Sequence, residues 1–111
     1  MITHIVFWKL IEDEQHNAEE NAARIKRELE ALVGVVPGLL SAQVGLAMNP
    51  VGEYNLCLLS TFEDAASLKA YRTNPDHIKA ADFVHTAISA RTAIDFENDN
   101  ILDAGIDPYV F

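Results

Sequence analysis

Apolar residues recur along this chain with two periods, and the points where the period changes divide it into elements. Residues 3–11, "THIVFWKLI", are rich in β-branched and aromatic types and run into the polar stretch "EDEQHN", which predicts a strand ending in a loop. From Ala18 the spacing lengthens: Ala18, Ala22, Ile25, Leu29, Leu32 and Val33 recur at steps of three and four, with Glu19, Glu20, Arg27, Glu28 and Glu30 between them. That is the pattern of an amphipathic helix over 18–33 with one solvated face. Gly34, Pro37 and Gly38 then stop the helix and turn the chain. Residues 39–48 and "YNLCLLSTF" read as two strands, joined into a hairpin by the turn signal "NPVGEY". Asp64 is placed to cap a helix over "AASLKAYR", which Asn74 and Pro75 end, and Asp76 to cap another through "HIKAADFVHTAI". "ARTAIDFE", 90–97, is the last strand, and the remaining residues, 98–111, have no clear period.

The order β-α-β-β-α-β in one small unit predicts an α+β, ferredoxin-like fold: a four-stranded antiparallel sheet with helices on one face. Alternation puts His4, Val6, Trp8 and Leu10 on one side of the first strand and Ile5, Phe7, Lys9 and Ile11 on the other, so both sides are mainly apolar. The last strand divides Thr92, Ile94 and Phe96 from Arg91, Ala93, Asp95 and Glu97. Leaving several such side chains in water forfeits on the order of 10 kcal/mol, comparable with the stability of a whole domain. The expected cover is the same face of a second copy, giving a homodimer built sheet to sheet. Ile101, Leu102, Ile106, Tyr109 and Phe111 of the tail offer an alternative roof, or a strap onto the partner subunit.

Composition narrows the partners more than the fold. At 111 residues and 50% apolar, the chain suits one folded domain, set at 1–97 with 98–111 as a tail. A formal charge of −9 repels phosphate backbones and anionic headgroups, so neither nucleic acid nor a membrane is an expected partner. The N-terminal apolar run is too short to span a bilayer and has no basic leader, which leads to the expectation of a cytoplasmic protein. The single cysteine, Cys57, lies in an apolar run, has no partner for an internal disulfide and reads as a small buried hydrophobe. No His/Cys/carboxylate cluster has ligand spacing and no glycine loop suits a phosphate, so no metal or cofactor is expected.

"MITHIVFWKL", "VPGL", "FED…LKAYRTNPDHIKAADFV" and "DFE" together resemble the stress-responsive α/β-barrel domain, called Dabb, over about residues 2–97. The block "YRTNPDH" with the early "HIV" carries most of that resemblance. It implies a dimeric barrel of ferredoxin-like subunits. Many members of that family are known only as stress-induced proteins, while some relatives are cofactor-free polyketide cyclases. The cyclases' tyrosine and histidine match Tyr71 and His77, their early histidine matches His4 and their last-strand aspartate matches Asp95. A further cyclase histidine is replaced here by Leu56, and Trp8 stands where a smaller aliphatic residue is usual.

The residues themselves support a chemistry for these four. First and last strands are adjacent and antiparallel in this order, which brings His4 and Asp95 into one layer, where a carboxylate would fix the imidazole tautomer. His77 lies in the first turn of a helix, where free N–H groups disfavour imidazolium and keep the ring a neutral base. Tyr71 is placed to hydrogen-bond a substrate carbonyl as negative charge grows on it. The wall of a sheet–helix pocket would come from Val6, Trp8, Ile25, Leu29, Leu56 and Leu58. Each polar member also has an ordinary structural use: a buried tyrosine ring, a helix-capping histidine, a hydrogen-bonded core histidine. Three readings follow: a dimer that binds a small organic ligand, a cofactor-independent cyclase or lyase, and a stress-associated protein with a filled core and no ligand. The volume left around Trp8 separates them.

Overall fold

The computed structural model describes residues 1–99. Strand β1 (Ile2–Leu10) is followed by helix α1 (Ala18–Glu30), the hairpin of β2 (Leu39–Val51) and β3 (Tyr54–Phe62), helices α2 (Ala65–Thr73) and α3 (Pro75–Ala87), and strand β4 (Ile88–Glu97). The strands form one antiparallel sheet in the order β2-β3-β1-β4, with β1 at its centre beside both β3 and β4. The α+β, ferredoxin-like architecture expected from the pattern is the one observed. The second helical segment is split in two at Asn74–Pro75.

All three helices pack on the side of the sheet that carries His4, Val6, Trp8 and Leu10. Helix α1 sinks Ala22, Ile25 and Leu29 onto it, while Arg24–Glu28 and Lys26–Glu30 pairs lace its outer side. Burial of a residue such as Ile25, wholly shielded in this structure, contributes about 1.5–3 kcal/mol. Asn17 caps the helix by accepting from the Glu20 backbone N–H at 3.0 Å. The helix ends at Glu30 rather than 33, because Leu32 and Val33 are already in the turn that leads to Gly34 at φ +87°. Gly38 is held at φ +82°, and a Cβ there would run into the Ser67 side chain, so a bare backbone is what lets α2 sit against the start of β2.

Other boundaries also differ from the sequence expectation. The β2 strand runs on to Val51, and β4 begins at Ile88 with no loop after α3. The cap of α3 is Asn74, not Asp76: its Oδ1 accepts from the Asp76 backbone N–H at 2.9 Å, and Pro75 takes the first helical position, which suits its fixed φ and missing N–H. Asp76 instead supplies negative charge in the first turn.

The opposite face of the sheet carries no helix. Phe7, Leu59, Ile94 and Phe96 on it are 40%, 45%, 58% and 42% exposed. Cys57, opposite Phe7 in the register, belongs to this outer face and is half-buried rather than part of the core. The tail residues expected to roof this face or reach a partner subunit lie outside the described residues.

Candidate ligand cavity and acid–base site

The β1–β4 register places His4 directly opposite Asp95. Both point into the sheet–helix layer, and the His4 Nδ1 is hydrogen-bonded to Asp95 Oδ1. The imidazole is almost wholly buried, at 5% exposure. With Nδ1 engaged by the carboxylate, the orientation of the imidazole is fixed and Nε2 is left as its other polar atom. The other carboxylate oxygen, Asp95 Oδ2, accepts from the Arg72 guanidinium at 2.9 Å. Asp95 is thus gripped from two sides, which fixes the orientation of His4 through a side chain that sequence reasoning did not single out. Arg72 was hidden because a basic residue in the last turn of a helix has a sufficient local explanation.

Tyr71 and His77 lie on different helices, six positions apart, and the Asn74–Pro75 break folds them onto each other. Their ring centroids are 3.8 Å apart with planes at 33°. Tyr71 also meets Phe62 edge-on at 5.0 Å and His4 at 6.5 Å, so its ring is the hinge of an aromatic cluster. Burial pushes the Tyr71 hydroxyl up to about 12, so it remains a proton donor at neutral pH. Burial is also the leading reason that His77 is held below the ordinary imidazole value, ahead of charge on His4; the backbone carbonyls of Tyr71 and Arg72 work against the shift. The direction expected from the sequence is present, but desolvation rather than the helix terminus leads it. The His77 Nδ1 is buried and has no hydrogen-bond partner among the described residues.

These groups open onto a cavity of about 390 Å³. His4, Tyr71 and His77 form its polar side, and Val6, Trp8, Leu29 and Leu58 its apolar wall. Ile78, Ala81 and Val84 of α3 close it from above, and the exposed Arg72, Asp82, His85 and Arg91 border its mouth. Trp8, 4% exposed, is a wall and not a plug. Of the six residues expected to line a sheet–helix pocket, Val6, Trp8, Leu29 and Leu58 line this cavity, while Ile25 and Leu56 do not border it and are packed in the core, Leu56 directly across from Trp8 in the sheet. His85, read from the sequence as solvent-facing, is exposed and borders the cavity as well. His16 lies outside it, held by Asp13 at 2.7 Å and by the Thr86 carbonyl at 3.0 Å. Among the described residues no group of three or more His, Cys, Asp or Glu side chains could hold a metal ion, and no helix is long and apolar enough to cross a membrane.

The family model for the stress responsive A/B barrel domain, Dabb, matches residues 2–98. The chain belongs to the Dabb family. Among solved structures, a dimeric protein of unknown function and ferredoxin-like fold from Bacteroides fragilis is 30% identical, covering 86% of this chain and 94% of that one at a TM-score of 0.76. A hydroxynitrile lyase from Passiflora edulis is 18% identical, covering 91% and 96% at a TM-score of 0.73. SnoaB, a cofactor-independent oxygenase from Streptomyces nogalater whose structure is that of a mutant, is 11% identical, covering 92% and 96% at 0.68. At such low identities the last two share with this Dabb chain its fold alone. No curated protein matches the chain.

Proposed function

We propose that this Dabb protein is a homodimer whose subunits each bind a small, largely apolar keto or phenolic molecule in the sheet–helix cavity, where His77 and Tyr71 carry out proton transfer without a cofactor. The observation that carries the reading is the meeting, around one open cavity, of a desolvated histidine, a protonated phenol and a histidine oriented by a carboxylate. A filled structural core would leave no such volume. The apolar outer face supports the dimer, as does the dimeric state of the Bacteroides fragilis relative. The range of chemistry among proteins of this fold, a lyase and a cofactor-independent oxygenase included, is consistent with a site that needs only side chains.

In the proposed step the neutral His77 ring takes a proton from a carbon next to the ligand's carbonyl. The C–H electron pair becomes the enolate, and Tyr71 donates its hydroxyl hydrogen bond to the oxygen on which the charge collects. The enolate carbon then attacks a second carbonyl of the same molecule, as a cyclase would have it, the C=O π pair becoming an alkoxide that takes the proton from His77; otherwise the enolate takes that proton back at carbon. His4, held by Asp95, presents Nε2 as a further acceptor or donor at the cavity wall. A low proton affinity keeps His77 neutral at pH 7, which a base requires.

The test uses 4-hydroxyacetophenone in D2O, following loss of its methyl proton signal by NMR. Acceleration by the intact protein, reduced by about 100-fold or more in His77→Gln while the compound still binds, is the expected result for a general base. Equal exchange rates with the two proteins would remove His77 from the role.

A further inference from the structure

We propose that Arg91 is the anion-binding residue of the cavity, so that the ligand is a carboxylic acid whose carboxylate meets Arg91 while its keto or phenolic end lies against Tyr71 and His77. The inference rests on the ligand-binding reading above and adds the class of molecule bound.

The charges around the mouth set the argument. A chain with net charge −9 repels an organic anion at long range, so binding one requires local positive charge that is not already spent. Arg72 is spent, because its guanidinium is engaged by Asp95. Arg91 forms no hydrogen bond or ion pair among the described residues, although it borders the same cavity. It lies opposite Trp8 on β4 and on the same sheet face as Asp95, four positions further toward the strand's start. Four residues of strand span roughly 13 Å. Val6 therefore lies between the Arg91 backbone and the His4–Asp95 pair, with Trp8 directly across from Arg91, which sets out a site with a charged end, an apolar middle and a proton-transfer end. Arg91 and His77 border one and the same cavity.

The chemistry of the anion follows from the number of donors. A guanidinium presents parallel N–H groups that match the two oxygens of a carboxylate. One unspent guanidinium with Asp82 nearby suits a single negative charge, whereas a phosphate dianion calls for more cations than this mouth offers.

The probes are 6-hydroxy-2-naphthoate and its neutral amide, 6-hydroxy-2-naphthamide, titrated by fluorescence against the full-length protein, Arg91→Gln, Arg91→Lys and Arg72→Gln. Arg91 is exposed on an edge strand, and circular dichroism of each variant confirms that it is folded. The expected result is that the intact protein prefers the acid over the amide by about tenfold or more, as a charge-assisted pair implies. Arg91→Gln should abolish that preference while leaving amide affinity within about twofold, and Arg91→Lys should retain part of it. Equal affinity of the intact protein for acid and amide would overturn the inference and leave the ligand-binding reading standing. Loss of the preference in Arg72→Gln but not in Arg91→Gln would overturn the assignment to Arg91. Failure of both probes to bind would count against the cavity reading itself and the inference with it.

Discussion

The Tyr71 and His77 rings sit 3.8 Å apart, centroid to centroid, although they belong to two helices separated by Asn74. Asn74 serves both helices at once, ending α2 through its backbone N–H to the Tyr71 carbonyl and capping α3 through its side chain. Asn74→Ala removes the cap and should cost about 1 kcal/mol in urea unfolding. Because α3 is then less firmly held relative to α2, the variant should also lose ligand-induced thermal stabilisation beyond what its lowered melting temperature explains. Asn17→Ala, at the cap of α1 and remote from the rings, should cost a similar amount and leave ligand stabilisation unchanged.

Asp95 is held by a buried histidine on one side and a largely exposed arginine on the other, and the two partners should weigh differently. Asp95→Asn leaves His4 Nδ1 without its charged acceptor and should destabilise the protein by about 1–3 kcal/mol. Arg72→Met removes a pair whose arginine side chain is 60% exposed and should cost about 0–1 kcal/mol. Proton NMR checks the same relationship directly: a strongly downfield His4 ring N–H signal is expected in the intact protein and should vanish in Asp95→Asn while persisting in Arg72→Met.

The two histidines with resolved shifts act on stability in opposite directions. His77 is depressed below 6.5 in the folded chain, so the unfolded chain takes up its proton first and stability is lost as pH falls through about 6.5. His16 is raised, chiefly by its hydrogen bond to Asp13, so its contribution is complete below 6.5 and is lost as pH rises through its elevated value. Urea midpoints at pH 5 and pH 8 should show His77→Gln gaining on the intact protein at the lower pH and His16→Gln gaining on it at the higher.

Four large apolar side chains on the outer face predict the assembly. Sedimentation should find the intact protein dimeric, and Ile94→Lys with Phe96→Lys should raise the dissociation constant by about 100-fold or more, since each lost large apolar contact is worth about 1.5–3 kcal/mol. A charged pair at Glu19→Lys and Ala23→Lys, on the outer side of α1, should leave the association unchanged.

What was legible in the sequence was whatever a local period or a pairing rule determines. Two-residue alternation put His4, Val6 and Trp8 on one face, and the adjacency of first and last strands then aligned His4 with Asp95. Depth within a layer follows no such period. Ile25 and Leu29 share a helix face, yet only Leu29 reaches the cavity, because the position of α1 over the sheet is a tertiary matter. Arg72 and Arg91 were opaque for a different reason, since charged residues at a helix end or on an edge strand are ordinarily solvated, and only the assembled cavity distinguishes the one that is engaged from the one that is not. The choice between Asn74 and Asp76 as cap turned on one geometric preference, that of proline for the first helical position.

Ile94 and Phe96 flank Asp95 on β4 and point away from it. Adjacent residues of a strand share one rigid ribbon, so a shift of this edge that seats the two apolar side chains on another surface carries the carboxylate by the same displacement. The hydrogen bond to His4 tolerates only a few tenths of an ångström before it weakens. Quaternary fit and the aim of a buried imidazole are therefore mechanically tied through a single backbone segment, and selection acting on either one constrains the other.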